Sequence, residues 1–223
     1  MFTVSDEWKK AYPGACAGVL AMSGVVNPKS HPALEQKKRE LELELRRLFK
    51  DPASLKSNRA IQAYRDYYKR FKKSYHVYHQ LESVIFKGKS LPGVASLVEA
   101  MFIAELRNML LTAGHDVDAL RPPLRLDVAK GNETYVKLNG EEQLLKAGDM
   151  TISDSEGIIS SVIYGPDRRT QIKPETTRVL FTTYVAPGIG EQSVHEHLNT
   201  LETTVKIVAP EAKVDLMEVY TAP

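Results

Sequence analysis

The sequence predicts a single α+β domain with a β-sheet or sandwich core flanked by helices. Its 223 residues fit one domain of the usual ~50–250 residues. Helical periodicity dominates the first half and short strands dominate the second, which is the order of a sheet flanked by helices. No linker, internal repeat or low-complexity stretch divides the chain. Three stretches are expected within it: 1–73 with a strand and basic helices, 74–184 as the central portion, and 185–223 as a closing helix and strand.

Ala15 to Val26 is almost wholly apolar and reads as a buried strand, ended by Gly24 and Asn27-Pro28. Ser30-His31-Pro32 then places a cap and a first-turn proline before a helix reaching Phe49. Leu34, Leu41, Leu45 and Leu48 form its expected apolar face, and Asp51-Pro52 ends it. A second helix is predicted from about Asn58 to Lys73, with Ile61, Tyr64, Tyr68 and Phe71 as its stripe. A third runs from His76 to Phe86 and stops at Gly88. A fourth runs from Val94 to Leu111, with Gly114 beyond its end. In that reading His115 and Asp116 follow a helix end, where a His suits the dipole and an Asp caps the next turn.

Strands are then predicted at Leu124–Val128, Thr134–Leu138, Met150–Ile152, Ile158–Tyr164 and Arg178–Tyr184. Asn139-Gly140 is a strong turn signal. Pro187-Gly188-Ile189-Gly190 breaks the strand pattern. A helix follows from Ser193 to Val208 with Leu198, Leu201 and Val205 inward, and an alternating strand closes the chain at Lys213–Tyr220.

Composition narrows the function classes. The one cysteine, Cys16, lies in an apolar run and is expected to be a buried small hydrophobe. No Cys/His spacing fits zinc, and His195-x-His197 on a helix would not share a face, so neither metal nor cofactor is expected. The opening MFTVSDEW lacks the basic-then-apolar order of a signal peptide. The longest apolar run is shorter than the ~20 residues a membrane helix needs. These features lead to the expectation of a soluble, cytoplasmic protein. The net charge is only +2, but Lys37 to Lys73 holds 13 Lys and Arg against 5 Asp and Glu. That asymmetry points to a polyanionic partner. Arg59, Arg65, Lys69, Arg70, Lys72 and Lys73 on the second helix are the candidate RNA contacts. Tyr67 and Tyr75 are weighed as stacking platforms against core packing.

From residue 91 onward the chain reads LPGVASLVEAMFIAELRNMLLTAGHDVDAL, then LRLDVA, ETYVKLNG, AGDMTISDSEG and KPETTRVLFTTY. In order and spacing this resembles the editing region of the bacterial phenylalanyl-tRNA synthetase β subunit, the B3/B4 domain, over about Ser74 to Tyr184. Glu99 stands where that family has an Asp. Asp116 matches a family Asp, while the family's His falls on Ala113 and His115 replaces a Phe. Gly131 to Gly140 matches a Gly-Glu-x-x-x-x-Leu-x-Gly turn, with Asn132 inserted. Ile152-Ser153-Asp154 matches Ile-x-Asp, and Glu175-Thr176-Thr177-Arg178-Val179-Leu180 matches Glu-Thr-x-x-Val-Leu. The family's Gly-rich stretch is here the more charged Tyr164 to Thr170. The layout is similar to a group of free-standing B3/B4 proteins. No class II synthetase motif is apparent, so a complete synthetase is not expected.

The resemblance implies aminoacylated tRNA as partner and ester hydrolysis in trans as chemistry. That reaction needs a held water, donors for the developing oxyanion, and exclusion of the correct amino acid. It needs no covalent nucleophile, and the chain has no nucleophile motif. Glu175 and His115 are the implied catalytic pair. Asp116, Gly165, Asp167, Arg168, Arg169 and Thr176 are the implied substrate contacts. The alternative is a non-catalytic module that binds RNA or a small molecule on the same fold.

Overall fold

Three helices in this chain begin at a side-chain cap, whereas the helix expected to be capped at Ser30-His31 starts at His31 with no side-chain cap bond. Ser5 accepts from the Trp8 amide at 3.0 Å and starts α1 (Asp6–Ala11). Asp51 accepts from Ser54 and starts α3 (Pro52–Lys56). Asn58 accepts from Ala60 and Ile61 and starts α4 (Arg59–Arg70). The other helices are α2 (Pro32–Leu48), α5 (His76–Ile85), α6 (Ser96–Asn108) and α7 (Glu191–Val208). The structure is a computed structural model and describes residues 2–223.

Two sheets form the core. The first has the order β1 (Phe2–Val4), β4 (Leu124–Val128), β7 (Met150–Asp154), β8 (Gly157–Ser161), β9 (Gly165–Pro166). The second has the order β11 (Lys213–Thr221), β2 (Cys16–Ser23), β10 (Arg178–Val185), β3 (Leu111–Asp116), all antiparallel. A separate hairpin pairs β5 (Thr134–Val136) with β6 (Glu142–Leu144). Thus the α+β domain expected from the sequence is the fold observed, with seven α-helices and eleven strands among the described residues.

The helices cover the second sheet because their apolar faces fit it. Gly18 in β2 has no side chain, and a Cβ there would stand 2.7 Å from Val194 and 3.1 Å from Leu198 of α7. Leu198, Leu201 and Val205 are buried as expected, and so is Cys16. A row of tyrosines ties α4 to both sheets. Tyr64 hydrogen-bonds the Tyr184 carbonyl of β10 and accepts from the Leu111 amide at 3.0 Å. Tyr67 donates to Asp149 at 2.6 Å, and Tyr68 donates to the Val162 carbonyl at 2.7 Å. Tyr64 stacks on Tyr75 with ring centroids 4.4 Å apart. Buried aromatic pairs of this kind add about 0.5–1.5 kcal/mol beyond area burial. Tyr67 and Tyr75 are therefore core residues, and the stacking role weighed for them is not open.

Two sequence expectations are corrected. The fourth helix stops at Asn108, not Leu111: Met109 turns left-handed at φ 59° and Tyr75 donates to its carbonyl at 3.1 Å. Leu111 to Asp116 then pair with Tyr184 to Val179 as strand β3, so His115 sits in a sheet rather than after a helix. Leu48 is 64% exposed, because the buried row of α2 is Leu34, Lys38, Leu41, Glu42 and Leu45. Lys38 is tolerated inside because Glu35 and Glu99 lie 2.7 and 2.9 Å from its ammonium. Glu99 also accepts from the Val94 amide at 2.9 Å, which makes it a post between α2 and α6.

Candidate functional site

One row of α6, Val98, Met101, Phe102 and Glu105, recurs at three- and four-residue spacing. It faces a half-open pocket of 280 Å³, lined by His76 and Gln80 of α5, Thr112 and Gly114 of β3, Leu138 beside the hairpin, and the 166–172 segment with Gln171 and Ile172. Gly114 makes the approach of these walls possible. A Cβ on it would stand 2.5 Å from the Met101 sulfur and 2.7 Å from Ile172 Cδ1.

The polar content of this chamber is small and unbalanced. Glu105 is buried, and its one hydrogen-bond donor among the described residues is the Thr112 amide at 2.8 Å. Burial pushes its carboxyl up to about 8, and the Thr112 amide opposes this only in part. The Gln80 Oε1 is buried without a partner. His76 is held below its ordinary pKa by desolvation and by neighbouring His79. Sequence reading missed this site. The available signal was an acid alone in the apolar run Met101-Phe102-Ile103-Ala104-Glu105-Leu106.

The residues implied by the resemblance gather elsewhere, where β3 meets the 164–176 segment. His115 is fully buried, with Nδ1 2.7 Å from the Thr170 hydroxyl. Thr170 in turn hydrogen-bonds Asp167, so its oxygen accepts from the imidazole and the His115 Nε2 is left a buried acceptor without a partner. Burial pulls His115 down to about 3, with Asp154 opposing and Arg169 reinforcing. Arg169 lies 2.8 Å from Asp154 and 3.5 Å from Glu156, and donates to the Ala119 carbonyl at 2.9 Å. Asp116 caps the turn at Asp118 and accepts from Thr176 at 2.8 Å. The Gly165 carbonyl accepts from Tyr135 at 2.8 Å.

Placement thus separates the expected site residues. His115, Asp116, Asp167, Arg169 and Thr176 form one network whose hydrogen-bonding capacity is largely spent inside the protein. His115, implied as a catalytic residue, is fully buried in the sheet. Arg168 and Glu175 are exposed, and neither has an ion-pair partner among the described residues. Glu175 sits on the turn closed by the Thr176 amide on the Lys173 carbonyl at 3.1 Å.

The basic residues of α4 are exposed, opposite its tyrosine row. They do not form one patch. Arg65, Lys69 and Lys73 join Lys56 and His79 around an open groove of 430 Å³, which Asp66 and Glu82 also border. Arg70 lies over the Tyr12 ring, 5.1 Å from its centroid. Arg59 borders a different hollow beside Asn108 and Ser193. Lys72 adopts a left-handed φ of 56° just past the helix end. The groove uses Tyr78, His79 and Glu82 of α5, and the Glu105 cavity uses His76 and Gln80. The two therefore lie on neighbouring faces of one helix.

The fold is thus an α+β domain carrying a small acid-bearing cavity beside a cationic groove. The sequence profile of the B3/4 domain matches residues 62–204, and this chain belongs to the B3/4 domain family. It is 34% identical over 67 residues to the phenylalanine–tRNA ligase beta subunit of Mycoplasma genitalium, a match covering 30% of this chain and 8% of that one. The crystal structure of an N-terminal fragment of the phenylalanyl-tRNA synthetase β-subunit from Pyrococcus horikoshii is similar with a TM-score of 0.52 and 14% identity. That likeness covers 98% of this chain and 53% of the fragment, and it concerns the fold alone. The chain spans about half or less of these relatives. No helix among the described residues is long and apolar enough to cross a membrane.

Proposed function

We propose that this protein binds aminoacylated tRNA in the cytoplasm and hydrolyses the ester of mischarged tRNA in trans. The observation that carries this reading is the side-by-side position of the Lys56–Arg65–Lys69–Lys73 groove and the Glu105 cavity on α5. RNA phosphates suit the groove, because each neutralised phosphate releases counterions. The cavity is below the ~300–1,000 Å³ of drug-sized sites and suits one aminoacyl group. The reaction then needs a water held at the ester carbonyl. Family membership and the name of the Mycoplasma genitalium relative support tRNA as the partner.

One observation favours a second reading, tRNA binding without hydrolysis. His115 is closed off by Thr170, and Glu175 points outward from its turn. A panel of mischarged tRNAs incubated with purified protein separates the two. Release of at least one amino acid above the spontaneous rate supports hydrolysis. Tight, salt-sensitive tRNA binding with no release supports the binding module, and no tRNA binding at all overturns both.

A further inference from the structure

The Glu105 pocket is largely apolar, and two of its polar groups, Glu105 and Gln80, have oxygens with hydrogen-bonding capacity to spare. Glu105 lies inside the protein with the Thr112 amide at 2.8 Å as its only donor among the described residues. Gln80 presents a buried carbonyl oxygen with no partner. The remaining walls are largely apolar, chiefly Val98, Met101, Phe102 and Ile172. Buried acceptors left unpaired cost free energy, and a ligand that brings donors recovers it. A cationic donor is favoured most, because Glu105 can give up its proton to pair with it, and the resulting charged pair is strong in apolar surroundings. Phe102 adds an aromatic wall of the kind that tolerates a nearby cation.

The chamber also discriminates against a second anion. A free amino acid would carry its own carboxylate toward Glu105. An aminoacyl ester presents a neutral carbonyl instead. We propose that Glu105, assisted by Gln80, anchors the α-ammonium of an esterified amino acid with a compact apolar side chain, so that this cavity reads the aminoacyl group by its charged amine. The ester's source rests on the tRNA reading above, but the anchor itself is tested without RNA.

The titratable neighbours do not compete for this role. Tyr64 and Tyr68 of α4, together with Tyr75, are all pushed above their ordinary range by burial. His76 is lowered from its ordinary range, and His197, behind Thr112, is pulled down by burial to about 3. Glu105 itself, raised to about 8, holds its proton in the empty chamber near neutral pH. Pairing with an ammonium therefore releases that proton.

The test is a titration of the full chain at pH 7 with L-leucinamide and L-phenylalaninamide. Their N-acetyl derivatives and the free amino acids serve as controls. Binding is followed by calorimetry in two buffers of different ionisation heat and by the Met101 methyl resonance. The amides should bind, release close to one proton, and shift Met101. The acetylated forms should bind at least tenfold more weakly, and the free acids should fall between. Glu105→Gln keeps the shape and the acceptor for Thr112, and it should weaken amide binding at least tenfold and abolish proton release. If that variant fails to fold, Gln80→Leu should still weaken the amides several-fold. Equal binding of acetylated amides, unchanged affinity in the variants, or no amide binding overturns the anchor. Amide binding with an inactive tRNA panel removes hydrolysis and leaves the anchor standing. Hydrolysis that survives without amide binding removes the anchor alone.

Discussion

Strand β3 separates two regions built from similar polar residues with opposite outcomes. Toward the 164–176 segment, His115, Thr170, Asp167, Arg169, Asp154, Asp116 and Thr176 bond to one another, and only the His115 Nε2, sealed inside, is without a partner among the described residues. Toward α5 and α6, Gln80 keeps a buried oxygen free and Glu105 has a single donor, and Lys56, Arg65, Lys69 and Lys73 of the neighbouring groove have no ion-pair partners among the described residues. A network that spends its hydrogen bonds internally holds a fold together. Groups that keep them unspent are available to a ligand. The His115 group is sealed from solvent, whereas the α5–α6 pocket opens beside the groove, so we place binding on the α5–α6 side and read the His115 side as a brace between the sheets.

Charge reversal in the groove should give the largest effect. Arg65→Glu, Lys69→Glu and Lys73→Glu together should lower tRNA affinity by more than a hundredfold near physiological salt. The log–log salt slope should flatten by about two to three, since each phosphate contact contributes roughly 0.7–0.9. Filter binding across a salt series reads both quantities. The same slope for the triple variant and the parent would mean that RNA docks elsewhere. Reversal of Arg59 and Arg70, which lie apart from the groove, should matter less.

The brace is tested by stability. Thr170→Val removes the hydroxyl that His115 and Asp167 share, leaving buried groups short of partners. A loss of about 2–4 kcal/mol in urea unfolding is expected. Where the variant remains folded, tRNA affinity should stay within about twofold. A stable variant that loses hydrolysis instead would move His115 from the brace to the chemistry.

Glu105 should leave a signature in the pH dependence of stability. Its folded value of about 8 lies above the ordinary 4.5. The folded state therefore holds a proton that the unfolded chain releases. Its contribution is complete below about 4.5, declines as pH rises, and levels off past about 8. Asp149, raised to about 6 by burial, declines in the same direction but is finished by pH 7. His115 and His197, both lowered to about 3, lose stability only as pH falls below their ordinary 6.5. Between pH 7 and 8 the decline belongs mainly to Glu105, on the order of 1 kcal/mol. Urea midpoints for Glu105→Gln should be flat in that window. An equal slope in parent and variant would mean that Glu105 is ionised and solvated.

These two regions were not equally legible in the sequence. The fold class and most strands follow from local patterns, and Arg178–Val185 was read to within one residue. The basic helix was read as well, because charge and stripe are both local. The end of α6 was not, because it is decided by Met109 turning left-handed and by β10 claiming Leu111 onward. The cavity was invisible for the same reason: Gln80, Glu105, Thr112 and Ile172 come from four separate segments. Motif order brought His115, Asp167 and Thr176 to notice, and they do meet in space. Their burial, which decides what they can do, is a tertiary property.

Glu175 is the smallest expected effect and the finest test of the contrast between the two regions. It is exposed on a turn and has no ion-pair partner among the described residues, while its neighbour Thr176 is buried and bonded to Asp116. Glu175→Ala should change unfolding free energy by less than about 0.5 kcal/mol, as surface substitutions do. The family-type sequence around it keeps it a candidate substrate contact, made only when the tRNA end is bound. A single solvent-facing charged hydrogen bond of that kind supports roughly a tenfold change in hydrolysis, below that expected for a buried acid. Glu175→Gln should sit between parent and Ala if the group reads a hydroxyl, and match Ala if it pairs with a charge. Single-turnover rates on the preferred mischarged tRNA measure this. If the Ala variant matches the parent on every tRNA of the panel, Glu175 belongs to the turn alone. A drop as large as that of Glu105→Gln would mean that the turn closes over the ester, and that the His115 side of β3 contributes to the site after all.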